Sequence, residues 1–127
     1  MFEVQRIIDW LHTYGKTNEP SKHFTVTDEP WEQMSVEWQD WSFAAPGLAM
    51  LFVGYWYEAN GDLVPDPNIV IDLEEGRIIR TAVVTMFGTH QCECAADLDF
   101  VKEFLHTVFE RHLAPRQHTG SARTEQT

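Results

Sequence analysis

The fold is decided by residues 47–94, which read GLAMLFVGYWYEANGDLVPDPNIVIDLEEGRIIRTAVVTMFGTHQCEC. Residues 48–58 are almost continuously apolar, which is typical of a central strand covered on both faces. Residues 68–73 and 78–87 are rich in β-branched side chains, as strands are. Residues 89–94 either continue the last of these strands or form a further edge strand. The stretch therefore predicts an antiparallel meander onto which the rest of the chain packs.

Two turns divide this meander. Asn60 and Gly61 predict a tight hairpin, because both residue types tolerate positive φ. Residues 74–77 predict a second hairpin loop, in which Gly76 occupies the position that needs positive φ. Two prolines within residues 63–67 cannot donate hydrogen bonds to a ladder. We therefore expect residues 63–67 to leave the sheet as an irregular excursion.

Helices are predicted at both ends of the chain. Apolar side chains recur with helical period in residues 2–14, which indicates an amphipathic helix with one buried stripe. A second helix is expected to begin at a side-chain cap supplied by Asp97 or Asp99. Its apolar side chains also follow a helical period, and Pro115 closes it.

The region between the first helix and the meander gives weaker signals. Residues 16–23 are polar and predict a connecting loop, and residues 24–27 predict a short strand. Residues 33–39 alternate between apolar and polar side chains, the period of a half-buried strand. A helix over residues 31–38 is the alternative, because the preceding Pro30 suits a helix start.

These patterns together predict an α+β fold, an antiparallel β-meander of about four to five strands packed by an N-terminal and a C-terminal helix. Residues 1–115 are expected to form this single domain. The whole chain of 127 residues is long enough to bury about two-thirds of its unfolded surface. Residues 116–127 contain no aliphatic side chain larger than alanine, and we expect them to form a flexible tail.

The sequence predicts a soluble cytoplasmic protein without a membrane partner. No run reaches the roughly 20 apolar residues that a spanning helix needs. The N-terminus lacks the basic start and the apolar stretch of a signal peptide. Cys92 and Cys94 are two residues apart, so in a strand their parallel side chains are badly placed for a disulfide bond. We expect both to be reduced thiols.

Net charge is the strongest anomaly of the composition. Twenty Asp and Glu residues face nine Lys and Arg residues, which gives a net charge of −11. Residues 28–99 contain fourteen of the acids but only Arg77 and Arg80 as bases. Direct nucleic-acid binding needs clustered Lys and Arg to displace counterions, so this charge argues against it. A protein partner with a basic surface is the favoured interpretation.

The hairpin around Asn60 also carries a resemblance. A strand that ends in Glu58 is followed by Asn60-Gly61-Asp62, a short linker and Asp66-Pro67. This order resembles a bacterial domain family of unknown function that is spread among bacteria, phages and plasmids. The resemblance covers the central third to half of the chain and implies a small α+β domain, without implying an activity. The family often has Glu after Asp-Pro, whereas this chain has Asn68.

Acidic and aromatic residues form two candidate contact sites. Glu58, Asp62 and Asp66 surround the hairpin turn and offer oxygen ligands for a hard cation or a partner-contact loop. The competing interpretation is that Asp and Asn serve the turn itself through bonds to nearby backbone N–H groups. Trp31 and Trp41 lie in an acidic stretch, and tryptophans rimmed by polar residues are typical of interface hot spots. Core packing is the alternative for these two tryptophans.

His90, Cys92 and Cys94 form the third candidate site. On a strand all three side chains point to one face, and an imidazole with two thiolates is a recognised set of zinc ligands. The spacing differs from the usual two to four residues between cysteine ligands, so a reduced, half-buried pair of thiols is the competing interpretation. A zinc site also needs a fourth ligand, recruited from another histidine: His23, His106 or His112.

Three functional hypotheses follow. The first is a non-enzymatic acidic protein that binds a basic protein partner, in one version by mimicking the phosphates of DNA. The second is a metal-binding or hydrolytic domain that uses the histidine–cysteine segment or the acidic turn. The third is a small accessory domain that forms a homodimer through an exposed sheet edge. No nucleophile motif or phosphate-binding glycine loop supports an enzyme.

Overall fold

The computed structural model of the chain describes residues 2–14, 16–18, 21–28 and 32–115. These residues form two α-helices and seven β-strands. In chain order the elements are α1 (Phe2–Tyr14), β1 (Lys16–Asn18), β2 (Ser21–Asp28), β3 (Glu32–Asp40), β4 (Leu48–Ala59), β5 (Asp62–Glu74), β6 (Arg77–Thr85), β7 (Gly88–Gln91) and α2 (Ala95–Val108), followed by a π-helical turn (Phe109–Leu113).

The strands form one antiparallel sheet in the order β1 to β7, so the predicted α+β meander is confirmed. The expected four to five strands were too few. Residues 16–23 were expected to form a loop, but they contain β1 and the start of β2, which pair from Lys16 with His23 to Asn18 with Ser21. These polar residues suit a strand at the sheet edge, where only one neighbour is needed. β3 confirms the strand interpretation of residues 33–39 over the helix.

Both helices pack on one face of the sheet, here called the helix face. Cross-strand neighbours on this face, such as Phe24, Val36, Val53 and Ile69, are all fully buried. Burial of such side chains contributes roughly 1.5–3 kcal/mol each before the entropy of ordering them is subtracted. Helix residues complete the same core, namely Val4, Ile7, Ile8, Trp10, Leu11, Val101, Leu105, Val108, Phe109 and Leu113.

The expected excursion at residues 63–67 was wrong, because β5 runs through both prolines. β6 pairs with β5 only from Asn68 onwards, so among the described strands residues 62–67 are paired with β4 alone. Proline is tolerated where a strand has no second neighbour. The register of β4 and β5 shifts between Gly54 and Trp56, which accommodates the extra length of this segment.

The expected caps of the second helix were also wrong. α2 has Cys94 at its N-cap position, and the Cys94 side chain makes no capping hydrogen bond. Asp97 lies inside the first turn and Asp99 follows it. After Val108 the helix widens into the π-helical turn, which buries His112 and Leu113. None of the described helices is long and apolar enough to cross a membrane.

Candidate interaction surface at the hairpin end

The β4–β5 hairpin extends beyond its neighbours in the sheet. Its turn residues Asn60 and Gly61 have φ of +54° and +88°, as a two-residue turn with two left-handed positions requires. Among the described residues, β3 pairs with β4 only as far as Trp56, and β6 pairs with β5 only as far as Asn68. The tip, residues 57–67, therefore extends past the described parts of β3 and β6, with its two strands paired to each other.

The β6–β7 turn lies beside this tip. Thr85 pairs with Gly88, so Met86 and Phe87 form a two-residue turn. The hydroxyl of Tyr57 donates a hydrogen bond of 3.3 Å to the Met86 sulfur, which joins the turn to the β4–β5 hairpin. The two adjacent tips make one continuous end of the molecule.

This end exposes large apolar side chains together with carboxylates. Leu63, Met86 and Phe87 have exposed fractions of 59%, 60% and 91%. Exposed apolar groups rimmed by polar residues are typical of interaction sites. We call the whole set the hairpin-end surface, which consists of Glu58, Asp62, Leu63, Asp66, Met86 and Phe87, all of them exposed.

The hairpin-end surface contains acids but no bases. Residues 23–76 and 81–101, which include every described strand and turn residue at this end, contain neither Lys nor Arg. Its carboxylates therefore have no neighbouring Lys or Arg on these strands to neutralise them. Such a surface attracts cations and basic side chains.

The three carboxylates of the turn do not converge on one point. Glu58 pairs with Leu63 and Ala59 pairs with Asp62. Directly paired residues share a face and successive residues alternate, so Glu58 and Asp62 point to opposite faces of the hairpin. In the described part of the chain, no three His, Cys, Asp or Glu side chains are grouped so that they could share a metal ion.

The predicted histidine–cysteine site has an acidic neighbour that sequence reasoning missed. His90 Nε2–H donates a hydrogen bond of 2.9 Å to Asp97 Oδ2, from the exposed edge strand to the first turn of α2. This bond lowers the pKa of the Asp97 carboxyl, and bonds from Cys94 and the Glu93 backbone act in the same direction. Asp97 is therefore ionised at neutral pH.

The two thiols differ in their surroundings. Cys92 is half-buried against the core, whereas Cys94 is exposed at the start of α2. Burial raises the pKa of the Cys92 thiol, and the charges of Asp97 and Cys94 raise it further. A zinc ligand or nucleophile needs the thiolate, so this environment opposes both roles for Cys92.

The three histidines considered as a fourth zinc ligand are engaged elsewhere. His106 Nδ1 is 3.0 Å from Glu3 Oε2, which ties α2 to α1. His23 Nε2 is 3.0 Å from Thr25 Oγ1. His112 is buried, and its Nε2 shares a hydrogen bond of 2.9 Å with the Tyr55 hydroxyl. The structure thus leaves the predicted site without the expected fourth histidine.

Trp41 lies at the other end of the sheet from the acidic turn. Its Nε1 donates to Gln39 Oε1 at 3.0 Å, and its ring stands 5.2 Å from the exposed ring of Phe43. Trp41 is half-buried beside a cleft of about 240 Å³. The other lining residues of the cleft are Leu48, Met50, Asp72, Ile79 and Arg80. Trp31, the second predicted contact tryptophan, lies outside the described residues.

No family model, curated protein or solved structure matches this chain. The resemblance around Glu58 and Asn60-Gly61-Asp62 therefore stays a prediction. Sequence reasoning had missed Leu63, Met86 and Phe87 as contact residues. The available signal was the position of these side chains, each within two residues of the turn glycines Gly61 and Gly88.

Proposed function

We propose that the protein is a non-enzymatic interaction protein that binds a basic surface of a protein partner through its hairpin-end surface. The observation that carries this proposal is the combination of three exposed apolar side chains with three exposed carboxylates on one end of the sheet. The apolar groups supply contact area that is lost from water on binding. The carboxylates supply charge that selects a partner rich in Lys and Arg.

The chemistry of the partner follows from the surface. A partner that binds here needs an apolar pocket for Phe87 and Met86. It also needs Lys or Arg around that pocket to face Glu58, Asp62 and Asp66. Interface cores are depleted in charged residues and surrounded by a polar rim, so a partner that covers both faces of the hairpin tip would meet apolar groups and carboxylates together. Attraction between opposite charges accelerates association, and it weakens as salt is added.

Mimicry of DNA is not needed for this function. A mimic presents carboxylates in rows along one face. In this chain β5 has two acids near the hairpin tip, Asp62 and Asp66, and two near its other end, Asp72 and Glu74, with Asp72 already paired with Arg80 at 2.8 Å. Asp62 and Glu74 are twelve residues apart. At about 3.3 Å per residue this separation is roughly 35–40 Å. A compact basic patch on a protein therefore fits the hairpin-end surface better than a DNA-binding groove does.

Capture of partners from a bacterial lysate on three matched baits tests the proposal. The baits are the wild-type chain, the triple variant Glu58→Gln/Asp62→Asn/Asp66→Asn, and a control triple variant Glu74→Gln/Glu75→Gln/Glu103→Gln. Both variants change the net charge by the same amount, but only the first changes the hairpin-end surface. Retained proteins are eluted by a salt gradient and identified by mass spectrometry.

We expect the wild-type and control baits to retain the same basic protein, and the hairpin variant to lose it. Three exposed charge pairs at roughly 0.5 kcal/mol each predict about a tenfold loss of affinity. The proposal fails if all three baits retain the same proteins, because bulk charge and not the hairpin end would then determine binding. It also fails if the wild-type bait retains nothing specific.

A further inference from the structure

The edge strand β7 presents backbone hydrogen-bonding groups to one side of the sheet. The Cys92 N–H donates to the Thr81 carbonyl at 2.9 Å, so this pair is a hydrogen-bonded pair of the β6–β7 ladder. Such pairs alternate along an antiparallel ladder. His90 and Gly88 therefore direct their backbone groups to β6, and Thr89 and Gln91 direct theirs away from it. β7 is the last strand of the described sheet, and all four of its residues are exposed.

Natural proteins usually protect such an edge. Very short strands, charged side chains, prolines, bulges or a covering loop keep other strands from pairing with it. β7 is short, but its sequence, Gly-Thr-His-Gln, contains no Lys, no acid and no proline. The two outward N–H groups and two outward carbonyls lie about 7 Å apart along the strand, the spacing that an added strand requires.

We propose that β7 is the docking edge for an extended basic segment of the partner, which adds to the sheet as an eighth strand. This inference rests on the proposed function and names the backbone site and the form of the partner. In β-strand addition the main chain supplies hydrogen bonds, and alternate side chains supply specificity.

Charges beside the edge select basic side chains on that segment. His90 lies on the helix face, where it contacts Asp97. A partner residue opposite His90 points to the same face, with its Cβ about 5 Å from that of His90. A Lys or Arg at this position reaches the ionised carboxylate of Asp97. Glu93 and Asp99 are also exposed and lie close to Asp97 in the chain.

The exposed ring of Phe87 provides an apolar contact at the end of the same edge. Phe87 immediately precedes β7 and its side chain is almost fully exposed, so its ring is available to a strand that continues past Gly88. The predicted segment therefore has Lys or Arg at alternate positions and an apolar residue beyond them.

A second copy of the chain fits this edge less well. Two β7 strands paired with each other would join two chains that each have a net charge of −11 and an ionised Asp97 beside the edge. A four-residue strand also provides much less than the roughly 1,600 Å² of a standard protein interface. A basic partner removes the repulsion, and it gains area by also covering the hairpin-end surface.

The test uses the full chain and a fluorescent synthetic peptide of alternating lysine and valine that ends in leucine. Fluorescence anisotropy measures its affinity for the wild-type chain, Gln91→Pro and the control Gln91→Thr. Gln91→Pro removes one outward N–H without removing a bond to β6, and the extended residue before it is compatible with proline. The same peptide with every backbone nitrogen methylated keeps the charge but cannot pair as a strand.

We expect Gln91→Pro to weaken peptide binding at least about fivefold, as the loss of one backbone hydrogen bond predicts, and Gln91→Thr to leave it unchanged. The methylated peptide should bind at least about tenfold more weakly than its parent. Equal binding of both peptides, or of all three protein variants, overturns the eighth-strand proposal, as does failure of the parent peptide to bind.

Amide exchange on the wild-type chain keeps the test decisive if Gln91→Pro fails to fold. Saturating peptide should slow exchange of the Thr89 and Gln91 amides and leave His90, already bonded to β6, almost unchanged. No added protection overturns the proposal. A further outcome is that lysate capture is lost with the hairpin triple variant but unchanged by Gln91→Pro. That result would overturn the eighth-strand proposal and leave the proposed function intact.

Discussion

Replacement of Gly54 by alanine tests how closely β4 and β5 approach each other. Gly54 is buried in the middle of β4 and faces Asn68. A Cβ atom at this position would overlap the Pro67 carbonyl oxygen and would lie 2.6 Å from the Asn68 Cα. Both neighbours are backbone atoms of β5, so no side-chain rotation relieves the overlap. Alanine therefore requires the two strands to move apart.

The expected cost is near the upper end for overpacking, about 3 kcal/mol. An unfolding entropy of about 2.1 cal/mol/K per residue gives roughly 0.27 kcal/mol/K for this chain. The Gly54→Ala substitution should therefore lower the melting temperature by about 11 °C. For a domain whose unfolding free energy is about 5–15 kcal/mol, the variant still folds at 25 °C, so the loss can be measured.

Thermal denaturation followed by circular dichroism measures this effect, with Gly61→Asn as the matched control. Gly61 has positive φ, but a Cβ there meets no described atom within 4 Å, and asparagine tolerates the left-handed region. We expect the control to stay within about 3 °C of wild type, given the roughly 0.5 kcal/mol typical of surface changes. If Gly54→Ala melts no lower than the control, the close approach of β5 does not limit the size of residue 54.

Three further predictions concern the hydrogen bonds and thiols. Tyr55→Phe removes the bond to buried His112 and should cost about 1–2 kcal/mol, which thermal denaturation would show as a decrease of about 4–7 °C. The hydrogen bond from His90 lowers the pKa of Asp97, so it stabilises the fold fully above the ordinary carboxyl pKa of 3.8 and progressively less as the pH falls through the lowered pKa. Asp97→Asn should remove this stabilisation. Urea denaturation should therefore show a wild-type advantage at pH 6 that shrinks below about pH 4, and a constant difference would contradict it. Iodoacetamide at pH 7 should modify exposed Cys94 at least about tenfold faster than Cys92, whose thiol pKa is raised by burial, with mass spectrometry as the readout. Equal rates would contradict this difference.

Local sequence signals predicted most of the fold. The helical period of residues 2–14 and the alternation of residues 33–39 correspond to α1 and β3, because their apolar side chains face a core on one side only. Asn60-Gly61 forms the predicted turn. The errors concern places where a neighbouring strand, or its absence, decides the outcome. The prolines of β5 are accommodated because β6 does not extend that far, a fact that no local pattern contains.

The candidate site was predictable only in part. The acidic turn around Glu58 and Asp62 was identified from residue types, but the composition could not show that these carboxylates point to opposite faces. The sequence pattern does not reveal the contribution of Met86 and Phe87, because it predicts one continuous strand over residues 78–87. A two-residue turn at these positions exposes both side chains beside the β4–β5 tip.

By itself, the sequence determined the apolar periods, the turn chemistry and the scarcity of Lys and Arg, because each depends only on residue types and their spacing. Tertiary structure alone decided which distant residues became neighbours. It placed Asp97 against His90, buried His112 against Tyr55, and brought the β6–β7 turn to the acidic hairpin. The physical reason is that antiparallel pairing and helix packing join residues far apart in the chain, whereas a sequence pattern records only how each residue relates to its near neighbours.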